Sequence, residues 1–564
     1  MKPTPHPSGP SPRPVPTSPL PSDGLNRRRF LRSLLSVGGV GLVGAPPFWM
    51  RAAAPASAEG MVFHDQRGEG RRYPQAPGLP GVAVSNGRHV TLTDERGRWR
   101  LPVDDETTTF FVIKPRGWRT RLSAHHLPRG YHHHQPDGSP PQRFPGVAPT
   151  GPLPESIDFA LVPQEEGDRF KALVCGDPQP RNALEVGYLA QSVVPELCGT
   201  EAAFGVALGD IAFDDLNTLE PLSEVFGLVG VPWYYVLGNH DMNYDAPDNR
   251  HANETFRRVF GPSWYAFNYG PVHFVVLNNV EWMGPDPDRP SSTGNYRGAL
   301  GERQLEFIAE DLRHVPADRL VVLFMHIPLH RGFAPNPSSV THDRQRLYQL
   351  IGARPHTLSF SAHTHWHAHR FLGAEDGWPG AQPHHHVITG ALCGSWFGGA
   401  PGEDGVPHAT MSDGTPRGYV EMEFDGARYR MDGYKSLGRP RDYQMHLELP
   451  PELSRVSLAD TNLTVNVFNG SERSVVRWRC GAGDTWRPLA RVEAADPRFL
   501  RLRERDQNLS APYRALPQPM TNCPHLWRGP LPGDLTPGTH LVEVAAEDMF
   551  GQSHYGRRAL RVVG

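Results

Sequence analysis

Five short apolar segments in the middle of the chain are each followed by side chains that bind metals. Segments 170–175, 204–208 and 232–237 lead into Gly176-Asp177, Gly209-Asp210 and Gly238-Asn239-His240-Asp241, while segments 319–325 and 357–360 lead into histidines. Apolar runs of this length predict buried strands, and the loops after parallel strands hold the sites of open α/β sheets. The side chains that we expect to converge there are Asp177, Gln179, Asp210, Asn239, His326, His363 and His365.

The order of these motifs resembles that of the calcineurin-like metallophosphoesterases. That family carries Asp-x-His, Gly-Asp, Gly-Asn-His-Asp/Glu, a single histidine and Gly-His-x-His in this sequence. The likeness extends over residues 168–435, roughly half the chain. It implies an α/β fold, a four-layer α/β/β/α catalytic sandwich, that hydrolyses phosphoesters at two divalent metal ions.

The resemblance also implies which residues hold the two ions. The two ligand sets share the carboxylate of Asp210: one consists of Asp177, Asp210 and His365, and the other of Asp210, Asn239, His326 and His363. A pair of metal ions about 3.5–4 Å apart can generate a nucleophile from water and neutralise phosphoryl oxygens. In-line attack on phosphorus by a hydroxide that bridges the ions is therefore the implied reaction.

His240 is the residue that we expect to protonate the departing alkoxide. Imidazole titrates near neutral pH and can donate a proton to a leaving group. In the family, a carboxylate shortly after Gly-Asp orients this histidine. The candidates in this chain are Asp214, which we take as the prediction, and Asp215, and spacing alone does not decide between them.

The chain departs from the family pattern at two points. Gln179 stands where the first motif has histidine, and Ser361-Ala362 replaces the glycine before His363. A glutamine oxygen can still bind a metal, but it is a harder and weaker ligand than imidazole. Oxygen donors shift metal preference from zinc or iron towards manganese or magnesium. We therefore expect a site for Mn, Fe, Zn or Mg in which Gln179 is a candidate ligand.

Several neighbouring side chains allow two interpretations, a contact with metal or substrate and an ordinary structural role. Residues His367 and His369 continue the period-two alternation of His363 and His365, which places all four on one face of an extended segment. The residues near the motifs that have two interpretations are Asp241, Arg297, His367, His369, His384–His386, Trp396 and Phe397.

The N-terminal residues carry the features of an export signal. Asn26-Arg27-Arg28-Arg29-Phe30-Leu31-Arg32 resembles the twin-arginine motif, and the apolar segment 34–43 that follows is too short to span a bilayer. Ala56-Ser57-Ala58 has the small-x-small pattern of a cleavage site. We therefore expect passage through the twin-arginine translocation machinery, a mature chain from Glu59 with no membrane span, and a periplasmic or secreted location.

Four regions are predicted from the changes in pattern along the chain. Residues 1–58 form a disordered start and the signal peptide, 59–163 an N-terminal β-sandwich, 164–436 the catalytic domain, and 437–564 a second β-sandwich. The first flanking region alternates short β-type runs with glycine turns, and the runs of the last region alternate at period two. The first looks like the transthyretin-like accessory domain of some bacterial phosphoesterases, and the second like the C-terminal domain that accompanies this subfamily.

Composition limits the partners of the protein. The 564 residues have a formal net charge of −3, so bulk electrostatics gives no reason to expect a nucleic-acid partner. The five cysteines show no metal-type spacing, and a bridge between Cys480 and Cys523 is left open.

The sequence as a whole predicts a dinuclear metal-dependent phosphoester hydrolase. A small-molecule or cell-envelope phosphodiester is the favoured substrate, and a phosphomonoester is the alternative within the same fold. An inactive cell-surface or polysaccharide-binding protein is the alternative from another class. Against it, Asp210, Asn239, His240, His326, His363 and His365 are all present.

Overall fold

The computed structural model describes residues 56–285, 295–330, 332, 338–481, 483–509 and 513–564. These residues lie in one compact unit, Pro55–Gly564. The twin-arginine motif and the apolar segment 34–43 lie outside the described residues, so the export signal stays a prediction. Ser57 and Ala58 of the predicted cleavage site are paired with Pro102 and Leu101 in the first sheet. Cleavage after Ala58 would therefore remove two paired residues from a strand.

The first region contains eight strands in two four-stranded sheets. Their bounds are β1 (Ser57–His64), β2 (Ala83–Ser85), β3 (Val90–Leu92), β4 (Arg98–Pro102), β5 (Thr109–Val112), β6 (Trp118–Thr120), β7 (Tyr131–His133) and β8 (Phe159–Pro163). One sheet has the order β4-β1-β8-β6 and the other β3-β2-β5-β7. The residues between them, including Trp99, Phe110 and Phe159, form a separate apolar core.

The middle region begins with a mixed β/α segment. Its elements are β9 (Arg169–Cys175), α1 (Ala183–Leu197), β10 (Ala202–Ala207), α2 (Leu219–Gly227), β11 (Trp233–Tyr235), α3 (Glu254–Phe260), β12 (Tyr265–Tyr269), β13 (Val272–Val276), β14 (Val280–Trp282) and β15 (Tyr296–Gly298). All five residues of β13 are buried, as is typical of a strand covered on both faces.

The region continues through a second set of elements. They are α4 (Glu302–Leu312), β16 (Val321–Phe324), α5 (Arg344–Ile351), β17 (Thr357–Ser361), β18 (Ala368–Leu372), β19 (His384–Ile388), β20 (Gly418–Asp425) and β21 (Arg428–Ser436). On α4, Leu305, Ile308 and Leu312 recur at helical spacing and face the core.

Two central sheets form the inner layers of this region. One has the order β11-β10-β9-β20-β21, and the other β12-β13-β16-β17-β19-β18. Phenylalanines join them, with the Phe274 ring centroid 5.5 Å from that of Phe424. Helices α1 and α2 bury apolar residues in the core that contains the first sheet, and α4 and α5 pack on the second. The predicted α/β/β/α sandwich, flanked by β domains, is confirmed.

The last region is mainly β-structure. Its elements are β22 (Met445–Glu448), β23 (Glu452–Ser454), β24 (Asn462–Val467), β25 (Val475–Cys480), β26 (Arg487–Pro488), β27 (Ala490–Val492), α6 (Pro497–Gln507), β28 (Leu526–Pro530), β29 (Gly538–Glu547) and β30 (Ser553–Val563). The sheets have the orders β22-β24-β28-β27 and β23-β30-β29-β25-β26. Cys480 and Cys523 are both buried free thiols, so the structure contains no bridge between them.

Within the described residues, none of the helices has both the length and the apolar character needed to cross a bilayer.

Candidate active site

The predicted ligands lie on loops that leave the two central sheets at the same edge. Parallel pairing aligns the end of β9 with the ends of β10 and β11, where Cys175 lies opposite Ala207 and Ala207 opposite Tyr235. In the second sheet, β16 and β17 end together, with Phe324 opposite Phe360. Because each strand is followed at once by its motif, the side chains that follow all emerge at one edge.

The backbone at the site is strained where the predicted ligands sit. Positive φ angles occur at five of the seven, with values of 37° at Asp177, 42° at Gln179, 48° at Asp210, 68° at His363 and 53° at His365. L-residues rarely adopt this region, and such residues cluster at functional sites where the surrounding structure holds them.

Three side chains at this edge have the geometry of a metal-binding group. The ligand atoms of Asp210, His326 and His363 lie within 4.8 Å of one another. His326 Nε2 is 3.2 Å from Asp210 Oδ1, 3.1 Å from Asn239 Oδ1 and 3.2 Å from His363 Nδ1. All four residues that were predicted to hold one ion therefore meet at one point.

The hydrogen bond on the far side of His326 determines which ring nitrogen faces this point. Nδ1 lies 2.8 Å from the carbonyl oxygen of Leu208, to which it can only donate. In the neutral ring, Nε2 then presents a lone pair to Asp210 and Asn239. Without a cation, burial lowers the pKa of His326, but the Asp210 carboxylate outweighs burial and raises this pKa to about 9. A positive charge is thus strongly favoured here.

Asp177 and His365 form the other half of the site. His365 Nδ1 donates to the carbonyl oxygen of Gly394 at 2.5 Å, so Nε2 of the neutral ring presents a lone pair towards Asp177 Oδ1, 3.7 Å away. The Asp177 carboxylate accepts from the backbone N–H of His363 at 3.1 Å. Complete burial raises the pKa of Asp177, and the nearby Asp210 carboxylate raises it further.

These contacts fit divalent cations. Asp177 and Asp210 are buried carboxylates, and neither forms an ion pair with a lysine or arginine among the described residues. When the imidazoles are neutral, their lone pairs and the carboxylate oxygens face each other. Buried acceptors in such an arrangement are stabilised by a cation, and the mixed nitrogen and oxygen donors suit first-row divalent metals.

Gln179 lies at the site, but its amide group has contacts of its own. Nε2 donates to Asp210 Oδ2 at 2.9 Å, and Oε1 is 3.8 Å from the thiol sulfur of Cys393. The nitrogen must face the carboxylate, since two oxygen acceptors at this distance would repel each other. In this arrangement Gln179 orients Asp210, and its role as a metal ligand stays a prediction.

His240 stands beside the cluster and pairs with Asp214. His240 Nδ1 lies 2.6 Å from Asp214 Oδ1, whereas Asp215 caps the short helix Leu216–Thr218 by accepting from the backbone N–H of Asn217. Of the two carboxylates that the sequence left open, Asp214 is therefore the one that contacts His240. Burial lowers the pKa of His240, but the carboxylates of Asp210 and Asp214 outweigh it and raise that pKa.

Asp241 has the structural role that was one of its two interpretations. Its carboxylate accepts from the backbone N–H groups of Ala212 and Gly238, both at 2.8 Å. It therefore ties together the two loops that carry Asp210 and Asn239.

Four of the other candidate histidines form hydrogen bonds with polar side chains away from the ligand cluster. His384 and His386 lie on β19, where Ser359 on β17 hydrogen-bonds to both rings at 2.7 Å. His367 and His369 both donate to Asn469 Oδ1, at 3.1 and 3.0 Å. These interactions favour the structural interpretation of the four rings.

Four residues at the site were not found from the sequence. The Phe213 ring stacks on His240 with centroids 4.3 Å apart, and Arg181 lies over Phe213 at 4.1 Å. The Tyr244 hydroxyl donates to the Asn239 carbonyl oxygen at 2.6 Å, and the Tyr296 ring stands edge-on to His363 at 6.1 Å. The position of Phe213 between Asp210 and Asp214 was the one available signal.

The two remaining open interpretations concern Trp396 and Arg297. Trp396 stacks on His365, with centroids 4.2 Å apart, and thus contacts a predicted metal ligand. Phe397 beside it is buried. Arg297 is exposed and pairs with Glu281 across the antiparallel strands β14 and β15.

Comparison with known families agrees with this geometry. Three family models match the chain: the N terminal of calcineurin-like phosphoesterase at residues 66–145, calcineurin-like phosphoesterase at 170–367, and the C terminal of calcineurin-like phosphoesterase at 386–554. The chain belongs to the calcineurin-like phosphoesterases. It is an enzyme of the metal-dependent phosphoester hydrolase class, and its family implies divalent metal ions.

Comparison with individual proteins gives weaker similarity than comparison with families. Comparison with curated proteins found no match. Among solved structures, the chain is similar to the purple acid phosphatase PPD1 isolated from yellow lupin (Lupinus luteus) seeds. The two share 10% identity with a TM-score of 0.35, over 63% of this chain and 71% of that chain.

Proposed function

We propose that the protein is an exported phosphodiesterase that works with two divalent metal ions and uses His240 as its general acid. The observation that carries this proposal is the 2.6 Å contact between His240 and Asp214 beside the convergent ligands Asp210, His326 and His363. A proton donor and a cation site lie next to each other, as hydrolysis of a phosphoester requires.

The residues proposed to hold the ions are those whose acceptor atoms converge. Asp177, Asp210 and His365 would hold one, and Asp210, Asn239, His326 and His363 the other. When bound, the ions activate water and neutralise the oxygens of the phosphoryl group. With Gln179 counted, four of the proposed ligands bind through oxygen. Because oxygen donors suit manganese and magnesium, these two metals are candidates besides zinc and iron.

His240 supplies the proton. Its backbone N–H donates to Asp210 Oδ1 at 2.9 Å, and Asp214 holds Nδ1, so Nε2 is the nitrogen left to meet the substrate. Nδ1 must carry a proton to bond the Asp214 carboxylate. In the imidazolium form Nε2 carries the second proton, which it donates to the leaving alkoxide.

The aromatic residues beside the site support a phosphodiester as the substrate over a phosphomonoester. Phe213 covers His240, and Trp396 covers His365. Aromatic surface therefore adjoins both the general acid and a ligand of the opposite half of the site. A phosphodiester brings an organic group on each side of phosphorus and can contact both rings, whereas a monoester would contact one.

Export through the twin-arginine machinery, to the periplasm or the exterior, is part of the proposal. The motif at residues 26–32 and the Ala56-Ser57-Ala58 pattern support it. Mass determination of the processed N-terminus tests it: Glu59 as the first residue is expected, and a chain retained in the cytoplasm with its N-terminus intact would contradict it.

Metal reloading tests the proposed activity. Residues 59–564 are stripped of metal, reloaded separately with manganese, zinc, iron and magnesium, and assayed on bis(4-nitrophenyl) phosphate and 4-nitrophenyl phosphate. We expect metal-restored turnover with higher kcat/KM for the diester. A preference for the monoester would assign a phosphomonoesterase, and bound metal without turnover on either ester would favour the binding-protein alternative.

A further inference from the structure

We propose that Arg181 and Arg514 form a cationic rim beside the proposed metal centre, and that this rim binds an oxyanion on the organic part of the substrate. The inference rests on the proposed function, because it concerns the substrate of the same site. It narrows the substrate to phosphoesters that carry a second anionic group.

The charge of the rim follows from its ion pairs. Arg181 Nη1 is 3.4 Å from Glu185 Oε1, and Arg514 Nη2 is 3.9 Å from the same oxygen. Among the described residues, neither guanidinium pairs with any other carboxylate. Two positive charges thus share one negative charge, which leaves the rim with a net positive charge.

Exposure leaves the rim accessible to a ligand. The side chain of Glu185 is 9% exposed, whereas those of Arg181 and Arg514 are 21% and 41% exposed. The carboxylate is therefore held beneath the two guanidinium groups, which reach towards solvent. Guanidinium presents several N–H donors in a plane and binds carboxylate or phosphate oxygens in pairs.

Arg181 contacts a neighbour of each half of the site. On one side it lies over Phe213 at 4.1 Å, and Phe213 stacks on His240. On the other side Nη1 donates to the Trp396 carbonyl oxygen at 3.0 Å, and Trp396 stacks on His365. An anionic group on a substrate that is bound beside His240 would therefore be able to face the rim.

The loop that carries Trp396 also joins Arg514 to the site. The backbone N–H of Gly399 donates to the Arg514 carbonyl oxygen at 2.8 Å. Arg514 belongs to the last region of the chain, so the C-terminal domain would contribute directly to substrate recognition.

A third arginine adds positive charge beneath the same loop. Arg417 is 6% exposed, lies 5.7 Å from the Phe397 ring centroid, and forms no ion pair with a described carboxylate. Burial lowers the pKa of Arg417 to about 10, so it stays charged at neutral pH. The carboxylates of Asp404 and Glu196 favour this charge from a distance without forming an ion pair with it.

Binding of two non-hydrolysable phosphonates tests the rim without relying on turnover. The manganese-loaded protein is titrated by calorimetry with phenylphosphonate and with 4-carboxyphenylphosphonate, which differ by one carboxylate. We expect the wild type to bind the carboxylated compound about fivefold more tightly, as one partly exposed charged contact of about 1 kcal/mol gives.

Two variants are expected to move this ratio in opposite directions. Arg514→Gln removes one guanidinium and should bring the ratio of the two dissociation constants close to one. Glu185→Gln removes the competing carboxylate and should raise the ratio above that of the wild type. The control is Arg428→Gln, which also removes one guanidinium from an ion pair, because Arg428 is 86% exposed and pairs with Asp425 at 3.3 Å.

The outcomes separate this inference from the proposed function. Equal binding of the two phosphonates by the wild type, or an unchanged ratio in Arg514→Gln, would overturn the rim while leaving the metal centre intact. Failure of both phosphonates to bind the manganese-loaded protein would overturn the proposed centre together with the rim. A higher kcat/KM for the monoester in the turnover assay would change the proposed function to a phosphomonoesterase. It would not contradict binding of an oxyanion by the rim.

Discussion

Nδ1 of His240 and Oδ1 of Asp214 lie 2.6 Å apart, at the margin of the cluster formed by Asp210, His326 and His363. This contact assigns the two ring nitrogens different tasks, since Nδ1 is held by the carboxylate and Nε2 is left for the substrate. Since the carboxylate that holds His240 is not a proposed metal ligand, the effects of proton donation and of metal binding on turnover can be measured with different variants.

Replacement of His240 by alanine tests the proposed general acid. We expect turnover of an ester with a poor leaving group to fall by about 10²–10⁴-fold, because the alkoxide would depart without a proton. An ester with a good leaving group should be affected less. Metal content, measured by plasma mass spectrometry, should equal that of the wild type. Equal losses on both esters would remove His240 from proton transfer.

Asp214→Asn tests the positioning role of the carboxylate. The neutral amide of asparagine stabilises the imidazolium less than the carboxylate does. We therefore expect kcat to fall by about 10–100-fold with a smaller change in KM. Losses of that order are typical when a partner that orients a functional histidine is removed. Asp215→Asn is the matched control, since Asp215 only caps a short helix. Comparable effects of the two substitutions would contradict the assignment.

Phe213→Leu tests the stack on His240. An aromatic pair contributes about 0.5–1.5 kcal/mol beyond its buried area, so we expect kcat to fall by up to about tenfold as the imidazole gains freedom. Phe371→Leu is the control, because Phe371 stacks on His385 at 5.0 Å within the second sheet and away from the proposed ligands. If both substitutions change kcat equally, the effect comes from packing in general.

Gln179→His tests the departure from the family pattern. An imidazole at this position offers a softer and stronger ligand, and we expect the more weakly held ion to bind zinc at least about tenfold more tightly. Titration of the stripped protein with zinc against a competing chelator measures this. An unchanged affinity would place residue 179 outside the metal's direct contacts, in keeping with its hydrogen bond to Asp210.

The sequence was sufficient for the elements and residues whose signal is local. Each proposed ligand directly follows an apolar strand, so its place at the edge of a sheet could be predicted from one short motif. The two-sheet sandwich was implied by the family resemblance of these motifs, and the flanking β regions were predicted from their short β-type runs. The choice between Asp214 and Asp215 required coordinates, because both lie in one loop and only one of them reaches His240.

The remaining features depend on segments that are distant in the chain. Trp396 reaches His365 because a loop returns to the site after β19, and Arg514 reaches Glu185 from the C-terminal region. The buried His384 and His386 of β19 are stabilised because Ser359 on the neighbouring strand hydrogen-bonds to both rings. Such cross-strand pairing leaves no trace in the local pattern around His384.

The central claim is that the convergent acceptors form a dinuclear metal centre. The most direct test is the metal content of the manganese-reloaded protein, measured by plasma mass spectrometry and located by anomalous diffraction. We predict two ions per chain, one beside His326 and one beside His365, with loss of the first in His326→Ala. A wild-type protein that holds no metal at these residues would contradict the account.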